Sequence, residues 1–267
     1  MGLGEAGATV YVTARTVVPG TSRAQLPGTV HDTARDVTAA GGRGVALPCD
    51  HTDDAQVREV LARIKADENQ LDVLVNNVWG GYERFTDGTA FNPGPFWEQP
   101  LSLWDSMHRS GVRAHYVASA LAVPLMIERR RGLIVNISSF AARVRVPPLP
   151  YSVAHGAIDR LTKDMAAELR PHGVAAISLY PGLVRTESVM ANAEYFDLSN
   201  SESPQFLGRV VAALAADADV LRWSGRWLVA AEVAQEYGVT DVDGSQPRSN
   251  REEIYREHAD ELAAEPE

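Results

Sequence analysis

Short apolar and β-branched runs alternate along the chain with longer amphipathic segments. The runs that we expect to form strands are residues 8–13, 44–49, 71–76, 133–138, 174–180 and 226–230. The segments that we expect to form helices are residues 28–41, 53–68, 101–131, 151–171 and 205–217. Near-continuous apolar strands separated by helices are typical of a parallel sheet that is covered on both faces. The pattern therefore predicts an α/β fold with a doubly wound parallel sheet.

The length of 267 residues suits one such domain, which we place at residues 1–245, followed by a charged C-terminal tail at residues 246–267. The net charge of −10 argues against a nucleic-acid or anionic-membrane partner, because both would require a basic face. The single cysteine, Cys49, excludes an internal disulfide and favours a reducing compartment. With no apolar run of membrane-spanning length, we predict a cytoplasmic protein without a membrane partner.

Three glycines near the start, Gly2, Gly4 and Gly7, spell the dinucleotide-binding pattern G-x-G-x-x-G. That pattern holds phosphate only where a strand precedes it and a helix follows it. Here only Met1 precedes it, and a predicted strand follows. We therefore interpret residues 2–7 as the end of a helix, with Gly7 as its left-handed stop.

Four later segments occur in a fixed order, each after a predicted strand or at the start of a helix. They are Asn76-Asn77, Ile137-Ser138-Ser139, Tyr151, and Pro181-Gly182. In this order they resemble the short-chain dehydrogenase/reductase family, over residues 8 to about 190. Within that family, LIVNISS and the C-terminal YGVTDVDG look most like one branch with mammalian members. The resemblance implies a Rossmann-like sheet and hydride transfer between NAD(P) and a carbonyl or alcohol carbon.

Two residues match the catalytic pair of the family. Carbonyl reduction needs a proton donor at the oxygen and a polar group that positions it. By resemblance Tyr151 is the proton donor. Ser139, or its neighbour Ser138, hydrogen-bonds the substrate oxygen, and the family motif favours Ser139 although its spacing to Tyr151 is one residue short.

Three positions depart from the family pattern. His155 stands where the family has a lysine that binds the nicotinamide ribose and lowers the pKa of the tyrosine. As a candidate catalytic residue, a histidine there could bind ribose hydroxyls but would polarise the phenol less; it could equally be a structural residue. Gly111 replaces an asparagine of the proton relay. Trp79 replaces a glycine, and it would narrow the cleft beside the adenine ribose.

The resemblance also implies a set of cofactor-binding residues. Arg15 follows the first predicted strand where an acid would select NAD, so a guanidinium there favours the 2′-phosphate of NADP(H); the alternative is an ordinary surface arginine. The other matching positions are Asp50 and His51 near the adenine, Asn77 and Val78 after the next strand, His155 at the ribose, and Pro181, Gly182, Val184 and Thr186 near the nicotinamide.

The family's first strand and its glycine turn have no counterpart in the sequence as it begins at Met1. We expect the product to start about 20–30 residues upstream, which is the length of a strand, turn and helix. Two functions remain open: an NADP(H)-dependent oxidoreductase, or a catalytically silent relative that serves as a scaffold or binding protein.

The substrate and the assembly are predicted only in outline. Aromatic residues in segments 80–99 and 187–204 indicate a small apolar carbonyl or alcohol substrate. They are Tyr82, Phe85, Phe91, Phe96, Trp97, Tyr195 and Phe196. The family resemblance implies a homodimer or homotetramer. The apolar residues on the outer sides of the pairing helices suit that role but would equally serve the core of the domain; they are Val117, Leu121, Leu125, Ile158 and Leu161. No ligand spacing indicates a metal site.

Overall fold

The computed structural model describes residues 1–22, 26–81 and 94–263. Their contacts divide the chain into two units. The first unit comprises Met1–Asp50, Pro181–Val220 and Leu228–Ser249. The second comprises His51–Tyr180, Leu221–Trp227 and the C-terminal residues from Asn250 onward. Both are built from parallel strands with helices packed against them, as the apolar pattern predicted.

The first unit opens with two parallel strands and the helix that joins them. β1 (Thr9–Ala14) pairs with β2 (Arg43–Pro48) along its whole length. The connecting helix α2 (Val30–Ala39) begins at a capping box, in which the side chains of Thr29 and Asp32 each bind the other's backbone amide. It ends just before Gly41, which takes a left-handed φ of 111°.

The glycine pattern at the N-terminus belongs to a helix and its stop, as the sequence context indicated. Helix α1 spans Gly2–Glu5, and Gly7 has a φ of 78°. A Cβ on Gly2 would lie 2.5 Å from the backbone nitrogen of Arg209, and one on Gly4 would lie 2.6 Å from the Val37 carbonyl oxygen. Glycine is therefore needed at both positions for close packing of helices.

The remaining elements of the first unit follow Pro181. A short parallel pair joins β6 (Leu183–Val184) to β7 (Ser201–Glu202). Three helices complete the unit: α8 (Glu187–Ala191), α9 (Pro204–Ala216) and α10 (Ala230–Tyr237).

In the second unit, β3 (Val73–Asn76), β4 (Gly132–Ile137) and β5 (Val174–Tyr180) form parallel neighbours in that order. β8 spans Trp227–Val229, and just before it the Arg226 carbonyl accepts from the Ser178 amide. Every residue of β5 is buried, as expected for a strand that is covered on both faces. Helix α3 (Asp54–Glu68) is capped by Asp53, whose carboxylate accepts from the Ala55 amide.

The prediction of one continuous helix over residues 101–131 was wrong. α4 (Leu101–Met107) runs into a π-helical turn at His108–Arg113, followed by α5 (Ala114–Ala122) and α6 (Pro124–Ile127). The π turn contains Gly111, and the Trp79 ring packs where a side chain at this position would lie. The last break coincides with Pro124, which has no amide hydrogen to continue the helical bonds. π turns of this kind occur frequently at functional sites.

The fourth predicted helix is α7 (Leu149–Leu169), which starts two residues earlier than expected. Of the apolar positions expected on the outer sides of the pairing helices, Leu125 and Ile158 are instead buried within the chain. They therefore belong to its core.

The C-terminal tail forms two short helices, α11 (Arg251–Glu257) and α12 (Ala259–Ala263). The Arg251 guanidinium lies 4.1 Å from the centre of the Trp227 ring. The Arg145 amide donates to the Glu261 carboxylate over 2.7 Å. These contacts attach the tail to the second unit.

The pairing of β1 with β2 and the ladder of β3, β4, β5 and β8 form separate sheets within the described residues. The predicted missing strand stays a prediction. In the same described part of the chain, no helix is long and apolar enough to span a membrane.

Candidate active site

Helix α7 places two of the predicted catalytic residues one turn apart. Tyr151 and His155 are separated by four residues, so their side chains lie on the same face of the helix. Their rings meet edge to face with centroids 4.4 Å apart. Tyr151 is half-buried, and His155 is only 5% exposed. The structure therefore brings these two residues together, as the sequence predicted.

A third ring, that of Trp79, packs against both. It stacks on His155 with a centroid distance of 4.5 Å and an interplanar angle of 10°. It also meets Tyr151 edge to face at 5.5 Å. A Cβ on Gly111 would lie 2.6 Å from Cζ3 of Trp79. The departures from the family pattern at positions 79, 111 and 155 are thus one packing arrangement, in which a large ring occupies space that glycine leaves open.

The two serines after β4 have different surroundings. Ser138 is 1% exposed, and its Oγ lies 3.3 Å from Nδ1 of His155. Ser139 is half-buried, and its Oγ accepts from the Ala141 amide at the start of a short helical turn. The serine that meets His155 is therefore Ser138. Ser139, which we favoured for contact with substrate, caps the short helical turn that follows β4.

Burial keeps His155 and its neighbour His115 uncharged. Burial, assisted by the proximity of His115, lowers the pKa of His155 to about 3. Burial likewise lowers the pKa of His115 to about 4, against the raising effect of its bond to the Val78 carbonyl. That bond is 3.0 Å long and starts at Nε2, so this nitrogen carries the proton. His155 therefore cannot supply at neutral pH the positive charge that a lysine would.

A buried network of hydrogen bonds joins β3, β4 and β5 to α7, and it was not predicted from the sequence. The Asn76 side-chain amide donates to the Ser119 hydroxyl over 3.0 Å and to the Asn136 carbonyl oxygen over 2.8 Å. Asn136 in turn donates to Thr162 on α7, which also accepts from Ser178. The available signal was an asparagine inside each of two apolar strands, since a buried amide needs polar partners.

The predicted adenine and phosphate contacts lie at strand ends. Arg15 is exposed directly after β1, and within the described residues it forms no ion pair. Asp50 is half-buried shortly after β2. In the second unit His51 is half-buried, and Asn77 is exposed directly after β3. The remaining predicted contact, Val78, binds His115 through its carbonyl.

The segment predicted to flank the nicotinamide is anchored by a buried charged cluster. Pro181, Gly182 and Val184 are half-buried, and the Thr186 hydroxyl caps α8 by accepting from Val189. A Cβ on Gly182 would lie 3.1 Å from Oε2 of Glu202.

Glu202 is 1% exposed and lies close to two charged residues. Burial and the nearby charge of Asp241 raise its pKa to about 7, while the Gly182 amide and Arg185 oppose the rise. Arg185 binds Asp241 over 3.0 Å. Burial would raise the pKa of Asp241 as well, but the hydroxyl and amide of Ser203, the Val242 amide and Arg185 together hold it below its usual value. Neither Glu202 nor Asp241 was predicted from the sequence.

The aromatic residues predicted to line a substrate pocket are described only in part. Tyr82, Phe85 and Phe91 lie outside the described residues. Phe96, Trp97 and Tyr195 are exposed, and Phe196 is half-buried.

Among the residues that the structure describes, no group of three or more His, Cys, Asp or Glu is arranged to hold a metal ion.

The model of the short chain dehydrogenase family matches residues 1–195. The chain belongs to this family. It is 38% identical over 254 residues to mouse dehydrogenase/reductase SDR family member 1, covering 90% of this chain and 77% of that protein. The human protein of the same name is 36% identical with the same coverage. These relatives confirm the branch predicted from LIVNISS and YGVTDVDG.

Solved structures agree with the fold. A putative dehydrogenase from Xanthomonas campestris superposes with a TM-score of 0.73 at 24% identity, covering 94% of this chain and 88% of that one. A metagenomic short-chain oxidoreductase in complex with NADP superposes with a TM-score of 0.65 at 27% identity, covering 85% of this chain and 87% of that one. The family consists of NAD(P)-dependent oxidoreductases that act on carbonyl and alcohol groups.

Proposed function

We propose that the protein is an NADP(H)-dependent oxidoreductase that interconverts a small apolar carbonyl compound and its alcohol. The observation that supports this most directly is the placement of Tyr151 and His155 on one face of α7, with Ser138 bonded to His155 and Ser139 next along the chain. The family's proton donor and its supporting groups thus occur within one unit.

Each residue has a chemical task in this proposal. The Tyr151 hydroxyl gives its proton to the carbonyl oxygen, and the Ser139 hydroxyl donates a hydrogen bond that positions this oxygen. NADPH, when bound, supplies the hydride to the carbonyl carbon. His155 is neutral, so its task is to orient a hydroxyl group rather than to stabilise a phenolate by charge.

The residues suit NADP(H) in three respects. Arg15 offers an exposed guanidinium at the end of β1, which matches a 2′-phosphate. Asp50, His51 and Asn77 supply polar side chains after β2 and β3, and Val78 follows Asn77 directly. The half-buried stretch 181–186 contributes Pro181, Gly182, Val184 and Thr186, and Gly182 leaves a gap that a side chain would fill. A known relative in complex with NADP supports this choice.

The cofactor preference can be tested by fluorescence titration of the purified chain with NADPH and with NADH. We expect tighter binding of NADPH, and Arg15→Glu should weaken NADPH binding about tenfold or more while changing NADH binding little. Arg58→Glu, which alters an exposed arginine on α3, is the matched control and should leave both affinities unchanged. Equal loss for both cofactors, or no NADPH binding by the wild type, would contradict the proposal.

One observation favours the second function, a silent family member. Trp79 covers one face of His155, the residue that would meet the ribose. If neither cofactor binds while the chain is folded by circular dichroism, the scaffold function replaces the enzymatic one.

We also propose a homodimer or homotetramer. Leu101, Trp104 and Tyr116 on α4 and α5 are exposed apolar residues, which supports an association through these helices. Sedimentation equilibrium should give two or four times the 28.9 kDa chain mass, and a monomer would contradict this.

A further inference from the structure

The connection between β4 and α7, residues 138–148, links the two predicted catalytic side chains. Ser139 caps its helical turn at Phe140–Ala142, and Tyr151 lies in the first turn of α7 just after it. If this connection moves, the separation of the Ser139 and Tyr151 hydroxyls changes with it. The contacts that hold the connection therefore bear on the geometry of the site.

Phe140, directly after Ser139, is surrounded by three aromatic rings. Its side chain is 7% exposed. Its ring meets three others edge to face, with centroid distances of 5.3 Å to Tyr180, 6.2 Å to Trp227 and 6.4 Å to Tyr255. Tyr180 ends β5 and Trp227 begins β8, whereas Tyr255 belongs to α11 in the C-terminal tail. The tail thus supplies one of the three rings that contact Phe140.

A carboxylate of the tail binds the same connection further along. Oε1 of Glu261, on α12, accepts from the Arg145 backbone amide over 2.7 Å, and Oε2 lies 3.2 Å from Nδ1 of His258. The next residue, Val146, is bonded to α7. Its amide donates to the Ser152 hydroxyl oxygen over 3.0 Å, and the Ser152 hydroxyl donates to its carbonyl over 2.8 Å. Glu261 therefore binds the amide immediately before the bonds that attach the connection to the start of α7.

Two guanidinium groups, one from the connection and one from the tail, contact the ring of Trp227. That of Arg251 in the tail lies 4.1 Å from the ring centre, and that of Arg143 in the connection lies 5.3 Å from it. Both distances are within the range of cation–π attraction. Arg143 also lies 3.5 Å from the Asp159 carboxylate on α7. The tail and the connection are therefore joined at the same ring.

We propose that Tyr255 and Glu261 are positioning residues, through which the C-terminal tail fixes the β4–α7 connection and hence the separation of the Ser139 and Tyr151 hydroxyls. They act through the backbone of the connection. Reaction geometry tolerates little displacement, since a misplacement of about 1 Å can cost about a hundredfold in rate. The catalytic consequence rests on the proposed oxidoreductase function, whereas the attachment itself does not.

Hydrogen exchange of the full chain, followed by NMR, tests the attachment one amide at a time. In Glu261→Ala the Arg145 amide loses its acceptor, so its exchange should become faster whatever the tail does. The decisive amide is that of Val146, because its own acceptor on Ser152 is unchanged. We expect it to exchange about fivefold faster in Glu261→Ala. In Glu261→Gln it should exchange at the wild-type rate, because the glutamine oxygen can still accept from Arg145.

The role of Tyr255 is tested through the Ala141 amide, which donates to the Ser139 hydroxyl oxygen. Tyr255→Ala removes a ring that contacts Phe140 and should make the Ala141 amide exchange faster. Tyr255→Phe keeps the ring and should restore the wild-type rate.

Glu257→Ala, at an exposed position of α11, is the control and should change neither the Val146 nor the Ala141 amide. All rates are compared with those of the β5 amides, so that a general loss of stability is not mistaken for local opening. A wild-type rate for Val146 in Glu261→Ala, or for Ala141 in Tyr255→Ala, would refute the positioning role of the substituted residue.

A steady-state assay with NADPH, and with benzaldehyde as the probe, separates this proposal from the proposed function. We expect Glu261→Ala to lower kcat about tenfold with little change in the KM for NADPH, and Glu261→Gln to recover the wild-type kcat. A wild type that neither binds NADPH nor reduces the probe would refute the function, and hydrogen exchange would still decide the attachment. An active wild type whose kcat is unaffected by Glu261→Ala, although the Val146 amide exchanges faster, would refute the positioning role and leave the function standing.

Discussion

Asp241 in the first unit and His155 in the second are almost equally buried, at 1% and 5% exposure, yet they differ in charge. Asp241 receives hydrogen bonds from Arg185, from Ser203 and from the Val242 amide, and it stays ionised. His155 contacts two aromatic rings and one hydroxyl, and burial lowers its pKa so far that the ring is uncharged at neutral pH. A charge survives burial where donors and a counter-ion surround it, and is lost where only rings do.

The two regions also differ in the kind of interaction that stabilises them. The cluster of Arg185, Glu202 and Asp241 depends on charge compensation. The group formed by Trp79, Gly111 and His155 depends on the fit of flat rings into a gap. Changes of charge should therefore damage the first region, and changes of volume should damage the second.

The largest effect is expected for Asp241→Asn. Breaking a buried ion pair from one side costs about 3–5 kcal/mol. The substitution removes the charge that faces Arg185 and leaves one acceptor oxygen where the carboxylate had two. Urea unfolding followed by circular dichroism measures this loss of free energy of unfolding. The exposed Asp219→Asn, in the same unit, is the control and should unfold with the wild type. A midpoint for Asp241→Asn within error of the wild type would show that the charge is not compensated as described.

Glu202→Gln should raise the free energy of unfolding, and only at higher pH. The native pKa of Glu202 is about 7 and its unfolded value about 4.5, so the native state holds a proton that the unfolded state loses between these pH values. Glu202 therefore lowers stability as the pH rises from 4.5 to 7, by up to about 3 kcal/mol above pH 7.

Unfolding of Glu202→Gln at pH 5 and at pH 8 measures this dependence. We expect Glu202→Gln to be more stable than the wild type at pH 8 and to lose most of this advantage at pH 5. The control Glu194→Gln, at an exposed position, should be as stable as the wild type at both pH values. Equal effects at both pH values would mean that Glu202 titrates like an exposed carboxyl.

Gly111→Ala tests the dependence of the second region on volume and should have the smallest effect of the three. The new Cβ would lie 2.6 Å from Trp79, and overpacking of this kind costs about 1–3 kcal/mol. Gly156→Ala on α7 is the matched control, because a Cβ there meets nothing within 4 Å, and it should stabilise the helix slightly. If Gly111→Ala is as stable as Gly156→Ala, Trp79 does not fill this space.

Most strands and helices could be predicted because their signals are local. The apolar run 174–180 coincides with the strand β5, and the helix predicted at residues 53–68 is α3 (Asp54–Glu68). The helix predicted at residues 101–131 is interrupted at Pro124, which is a local signal, and by a π turn whose Gly111 faces Trp79, which is distant in sequence. Local periodicity carries no information on such contacts.

Candidate residues were predictable where one helix carries them. Tyr151 and His155 are one turn apart, so their proximity follows from helix geometry alone. The neutrality of His155, its bond to Ser138 and the cluster around Glu202 depend on burial and on partners from other elements. These properties required the folded chain.

The central claim is that the candidate active site has a neutral histidine at position 155. An NMR pH titration of the His155 ring carbons, from pH 5 to pH 9, tests it most directly. With a native pKa of about 3, the His155 shifts should stay constant over this entire range while the chain stays folded. A titration of His155 with a midpoint inside this range would contradict the account, because the ring would then be able to carry a charge in the site.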